Sequence, residues 1–162
     1  MKQGNIVLRT TLKPTDPADV DSIVRSTRFF RPDEIKVAVE LVEETLEKGD
    51  ESGYSFVFAE VDGRVAGYSC FGLIPCSLIS WDLYWIATGK EFQNMGIGKM
   101  ILKKTEEIIS RAGGRTVYIE TSSKPLYEPT REFYLRNGCT LKVVMEDFYE
   151  TGDHKHVYIK RL

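Results

Sequence analysis

The chain has 162 residues, 42% of them hydrophobic and 28% charged, which suits one soluble domain with enough core to need no disulfide or metal staple. Its 22 Lys and Arg against 24 Asp and Glu leave a net charge of −2, so it lacks the basic surface that nucleic acid or an anionic membrane requires. Any anion it binds must be held by local geometry.

Taken in chain order, Ile6 to Leu12 reads as a first strand, broken by Lys13-Pro14-Thr15-Asp16-Pro17. There Asp16 is placed to cap a helix whose first turn holds Pro17. The helix runs through Ser26 with Val20, Ile23 and Val24 on one face. Pro32 opens a longer helix to about Lys48, with Ile35, Val39, Val42 and Leu46 at helical spacing. Tyr54 to Val61 and Arg64 to Phe71 flank Asp62-Gly63, a strong hairpin signal. Ile79 to Ala87 is a further strand, followed by a glycine-bearing loop and a helix from Gly96 to Ala112 with Ile97, Ile101, Ile108 and Ala112 on one face. Val117 to Thr121 is an apolar strand, Pro129 opens a short helix ending at Gly138, and Thr140 to Phe148 and His154 to Lys160 close the chain as a hairpin. The expected fold is α/β, a single mixed and mostly antiparallel sheet of about seven strands with about four helices on its faces, forming one domain over 1–162.

Three widely spaced cysteines, Cys70, Cys76 and Cys139, read as free thiols of a reducing compartment. His154 and His156 would share one side of a strand but have no third ligand nearby, so no metal site is expected. With no apolar signal core and no run near 18 apolar residues, a cytoplasmic protein is expected.

The segment from Tyr84 to Lys99 reads strand, loop, helix start. A helix's first turn has unpaired N–H groups and a partial positive charge that attract phosphate. Gly96 and Gly98 would let a diphosphate approach the backbone, with Gln93 and Lys99 as added donors. The glycine and lysine spacing fits neither the P-loop nor the dinucleotide fingerprint. A glycine-rich helix start with no ligand remains open on spacing alone.

Gln93-x-x-Gly96-x-Gly98 after an apolar strand resembles the Arg/Gln-x-x-Gly-x-Gly/Ala signature of the GNAT N-acetyltransferase superfamily. Thr130-Arg131-Glu132-Phe133-Tyr134-Leu135-Arg136-Asn137-Gly138-Cys139 resembles that family's A-x-x-F-Y-x-x-x-G-F, and the similarity extends over the order of elements. Thr130 and Cys139 are mild departures. Tyr127 stands where many members carry an asparagine that touches coenzyme A. The resemblance implies acetyl-CoA as acyl donor, with its pyrophosphate at Gln93, Asn94, Met95, Gly96, Ile97, Gly98 and Lys99. It implies backbone pairing of the pantetheine arm with Trp85 and Ala87, an oxyanion donor near Ile86, and further cofactor contacts at Arg131 and Tyr134.

For direct transfer to an amine, the resemblance makes Tyr134 the acid that protonates the leaving thiolate; a phenol of pKa ~10 is protonated at neutral pH. Asp82 is the first candidate base, because it falls where histone-acetylating members place a glutamate. A carboxylate in an otherwise apolar strand is also unusual, although a solvated strand-end residue explains it equally. Glu120, at the end of the following strand, is the rival, and water alone would also serve. Phe29, Phe30 and Tyr149 are expected to wall the acceptor site, with the loop around Pro75. The expected activity is transfer of acetyl to a primary amine of a small molecule, amino acid or peptide; the alternatives are a protein lysine or N-terminal acetyltransferase and a non-catalytic acyl-CoA-binding module. A homodimer is compatible with the resemblance, and no sequence feature decides it.

Overall fold

The computed structural model describes residues 4–162. Its elements in order are β1 (Ile6–Arg9), α1 (Asp16–Thr27), α2 (Pro32–Lys48), β2 (Ser55–Val61), β3 (Arg64–Leu73), β4 (Ser80–Thr88), α3 (Ile97–Arg111), β5 (Thr116–Ser122), α4 (Glu128–Arg136), β6 (Thr140–Glu150) and β7 (Asp153–Arg161). The strands form one seven-stranded sheet in the order β1-β2-β3-β4-β5-β7-β6. Of its neighbouring pairs, β4 with β5 is parallel and the rest are antiparallel. The mixed, mostly antiparallel architecture expected from sequence is the one observed.

The sheet separates two cores. Along β2, Phe56 and Phe58 join Val20, Val24, Ile35 and Val42 of α1 and α2. The alternate residues Val57, Ala59 and Val61 join Ile97, Ile101 and Ile109 of α3 on the other face. That period of two is what a strand covered on both faces presents. The hairpin turns at Asp62 (φ 49°) and Gly63 (φ 81°), both left-handed, as a two-residue loop requires. Parallel strands cannot be joined by a tight turn; here α3 makes the crossover, so its N-terminus sits at the carboxyl end of β4.

Three local expectations are corrected. The first helix begins at Asp16 with Thr15 as its cap. The carboxylate of Asp16 is fully buried and accepts from Arg9 Nη1 (2.9 Å) and the Lys13 N–H (2.7 Å) instead of capping. On α2 the buried face is Ile35, Ala38, Val42 and Thr45, while Leu46 is exposed. On α3 it is Ile97, Ile101, Leu102, Thr105 and Ile109, with Ala112 exposed. Among the described residues no helix is long and apolar enough to cross a membrane.

Candidate functional site

β4 and β5 are hydrogen-bonded neighbours only where Ser80–Leu83 lie beside Thr116–Ile119. Beyond that point β4 follows β3 out to Thr88, and β5 follows β7 out to Ser122. A bulge contributes to the separation: Cys70 faces Trp85 and Phe71 faces Leu83, leaving Tyr84 without a partner on β3. An extra residue in one strand bends it and increases its twist. The strands thus diverge into a cleft of about 950 Å³, at the carboxyl ends of the parallel pair, where open α/β sheets hold ligands.

One end of the cleft is backbone. After a short turn at Lys90–Phe92, Gln93 is extended, Asn94 is left-handed (φ 64°) and Gly96 is left-handed again (φ 78°) before α3 begins. α3 has no side-chain cap. The N–H groups of Ile97, Gly98 and Lys99 find no acceptor among the described residues. Alternating backbone handedness next to a helix N-terminus gathers N–H groups into a concave anion site. A side chain at Gly96 would meet nothing within 4 Å, whereas one at Gly98 would lie 3.4 Å from the Phe133 ring. Gly96 therefore serves the backbone conformation, whereas a Cβ at Gly98 would make an ordinary van der Waals contact with that ring. These free donors, with Lys99 also lining the cleft, fit a diphosphate on a chain without net positive charge.

The other end is aromatic and acidic. Tyr134 of α4 is 5% exposed yet reaches the cleft, its ring 5.6 Å from Phe133 and 5.8 Å from Tyr158. Burial pushes its phenol well above the ordinary tyrosine range, so it keeps its proton. Asp82 is half-buried on β4, and burial, then repulsion from Glu120, raises its pKa. Glu120 is half-exposed and paired with Lys155 Nζ at 2.9 Å. Phe30 packs 5.2 Å from Trp85, whose indole N–H is buried without a partner among the described residues. Tyr149 also lines this end, its phenol pushed up to about 12 by burial.

The cleft brings together Asp82, Glu120 and Tyr134, the strand segment Trp85, Ile86 and Ala87, the loop residues Gln93, Asn94, Gly96, Ile97, Gly98 and Lys99, and the aromatics Phe29, Phe30 and Tyr149. It does not bring in Met95, which is 42% exposed, or Arg131. The Arg131 guanidinium donates to the carbonyls of Ser122 (2.8 Å) and Lys124 (2.9 Å), fastening the end of β5 to α4. Nor does the loop around Pro75 line the cleft.

Sequence reasoning missed the use made of Tyr127. Its hydroxyl donates to the Phe29 carbonyl at 3.1 Å and its ring lies 5.9 Å from that of Phe29, bridging the α1–α2 loop to the segment before α4. No sequence signal links residues 98 positions apart. Among the described residues no group of His, Cys, Asp or Glu is arranged to hold a metal ion. Cys70 and Cys139 are buried and Cys76 is exposed.

Comparison with known proteins agrees with this geometry. Residues 21–139 match the model of the acetyltransferase (GNAT) family. The chain is 28% identical over 109 residues to an uncharacterized N-acetyltransferase of Methanocaldococcus jannaschii, covering 65% of each sequence, so the match spans just under two thirds of that relative. A crystal structure of a GNAT-family acetyltransferase candidate from Desulfovibrio desulfuricans is 40% identical, with a TM-score of 0.95 over 97% of this chain and 99% of that one. The PaiA N-acetyltransferase of Thermoplasma acidophilum, crystallised with coenzyme A, shares the fold at 16% identity, with a TM-score of 0.76 over 98% and 99% of the two chains.

Proposed function

The chain belongs to the GNAT acetyltransferase family, and from that premise we propose that it is an acetyl-CoA-dependent N-acetyltransferase acting on the primary amine of a small molecule, amino acid or peptide. The observation that carries this reading is the free N–H cradle of Ile97, Gly98 and Lys99 at the open end of the split between β4 and β5. Acetyl-CoA supplies the activated acyl group as a co-substrate. The loop from Gln93 to Lys99 holds its pyrophosphate, and the strand edge from Trp85 to Ala87, unpaired on the β5 side, offers backbone groups to the pantetheine arm.

The remaining chemistry falls to side chains and one backbone amide. The acceptor nitrogen is protonated at neutral pH when its pKa is ~10, so it must lose a proton before forming the new C–N bond. Asp82, its proton affinity raised by burial and by Glu120, is placed to take that proton, directly or through water. The Ile86 N–H stabilises negative charge on the carbonyl oxygen. As the C–S bond breaks, Tyr134 gives its proton to the departing thiolate.

Two features favour a small acceptor that carries positive charge. The Tyr127–Phe29 bridge narrows the acceptor end, leaving less room for a folded protein surface. Arg31 and Lys124 also line the cleft, and Glu120 and Asp153 are matched by Lys155 and Lys124. That leaves Asp82 among tyrosines without an ion-pair partner among the described residues, a setting that attracts an ammonium group. The test is release of free thiol from acetyl-CoA across diamines, amino acids, amino sugars and peptides, with a thermal shift measured alongside. Turnover that is fastest with di-cationic amines is expected. A thermal shift without thiol release on any amine would make the chain a binding module, and no shift would remove the acyl-CoA reading.

A further inference from the structure

A second cavity, of about 530 Å³, lies among α1, the β2–β3 hairpin and the Lys90–Phe92 turn, and its volume is that of a small-molecule site. Most of the charges lining it are matched. Arg9 pairs with Glu60 at 2.6 Å and with the buried Asp16 at 2.5 Å, and Lys13 pairs with the same Glu60 at 2.7 Å. Arg64 pairs with Glu91 at 2.5 Å. Two charges are left over, Asp19 and Lys90, and neither has an ion-pair partner among the described residues. Burial, then repulsion from Asp16, raises the pKa of Asp19, the behaviour of a carboxylate short of a cation.

The two unmatched groups stand at opposite ends of the cavity. Asp19, Ser22 and Ser26 share one face of α1 at helical spacing, and the Ser26 hydroxyl accepts the Lys90 N–H at 3.0 Å. The helix between Asp19 and that contact is about 10 Å long at ~1.5 Å per residue. Ile23, Val65 and Phe92 make the wall between them apolar. We propose that this cavity binds a small zwitterion, an ω-amino acid whose ammonium pairs with Asp19, whose carboxylate pairs with Lys90 and whose methylene chain lies along Ile23, Val65 and Phe92. A ligand with a single charge leaves one of the two groups unmatched, and a dication or dianion meets a like charge at one end.

One turn couples this site to the cleft. Phe92 lines both cavities, the Arg64 guanidinium lies 5.2 Å over its ring, and Gln93, the next residue, begins the loop that leads into α3. A ligand that holds Lys90 holds the turn carrying that loop, and so tightens coenzyme A binding. This coupling rests on the phosphates sitting at the Gln93–Lys99 loop, whereas occupancy of the cavity does not.

Calorimetric titration of the full chain with 5-aminopentanoate, in the absence of any acyl donor, reads the site directly. Binding with a micromolar to low-millimolar Kd is expected. Pentylamine and pentanoate should each bind at least tenfold more weakly, since each forfeits one charge-assisted pair. Asp19→Asn and Lys90→Gln should each weaken the zwitterion at least tenfold, and Asp82→Asn, in the cleft, should leave its affinity unchanged. Melting curves confirm that the variants fold. No heat of binding at about 10 mM, pentylamine as tight as the zwitterion, or a loss in Asp82→Asn in place of Asp19→Asn would each overturn the site. With the zwitterion saturating, the Kd of coenzyme A, which carries no acetyl group to transfer, should fall about fivefold, and coenzyme A should tighten the zwitterion by the same factor. Unchanged affinities in a chain that binds both ligands would overturn the coupling. A chain that binds the zwitterion and no coenzyme A would refute the acyl-CoA reading and uphold the second site.

Discussion

Replacing Gly96 with alanine separates backbone strain from ligand binding. A Cβ at Gly96 meets nothing within 4 Å, so its effect comes through φ, which is 78°. An L-residue in that region is strained by about 1–2 kcal/mol, which for a chain of this size lowers Tm by roughly 2–8 °C. If the loop relaxes instead, the N–H groups after Gly96 turn away from a common point, and each hydrogen bond lost to a charged phosphate costs about 1.5–3 kcal/mol. Loss of one such bond weakens acetyl-CoA binding about 10- to 150-fold. Gly113, just past the far end of α3, provides the control: its φ is 88° and it too has open space. Gly113→Ala should lower Tm by a similar amount and leave affinity unchanged. Calorimetric titration with acetyl-CoA alongside melting curves measures both quantities. Equal loss of affinity in the two variants, or none in Gly96→Ala, would refute the assignment of the phosphates to this loop.

Tyr134→Phe is expected to keep acetyl-CoA affinity within about twofold and lower kcat by ~10²-fold or more, the scale of a positioned proton donor; an unchanged kcat removes it as the acid. Asp82→Asn should flatten the acid limb of the pH–rate curve, and an unaltered curve passes the role to Glu120 or water. The same variant should be more stable than the parent at neutral pH. The raised pKa of Asp82 means that its contribution to stability is present below the unfolded value of ~3.9 and lost as pH rises through the folded one. The gain should therefore vanish near pH 3 in melts run against pH. Tyr127→Phe removes the hydrogen bond to the Phe29 carbonyl, worth about 0.5–1.5 kcal/mol. It is expected to raise KM for the amine about 2- to 10-fold and leave acetyl-CoA binding unchanged; an unchanged KM would detach the bridge from acceptor binding.

What could be read from sequence was whatever the chain settles within a few residues. The Asp62-Gly63 turn, the alternation from Phe56 to Val61 and the segment from Gln93 to Lys99 each need only near neighbours. The buried faces of α2 and α3 were harder, because apolar spacing selects Leu46 and Ala112 while packing selects Thr45 and Thr105. Thr105 can be fully buried because its hydroxyl is 2.7 Å from that of Ser69 and donates to the Ile101 carbonyl at 2.9 Å. Thr45 likewise donates to the Leu41 carbonyl. A hydroxyl that satisfies itself on its own helix is small enough to sit where helix and sheet approach closely, and no hydropathy pattern marks it. Arg131 shows the same limit at the cleft. In the motif it stands as a cation beside a phosphate site, yet two carbonyls that come near it only after β5 and α4 have packed claim its guanidinium. The Gln93–Lys99 loop escapes this ambiguity because backbone N–H groups at a helix start have few competing partners in the chain. Side-chain roles in the cleft depend on which distant groups arrive first, and that is why Tyr127 came to light only in the fold.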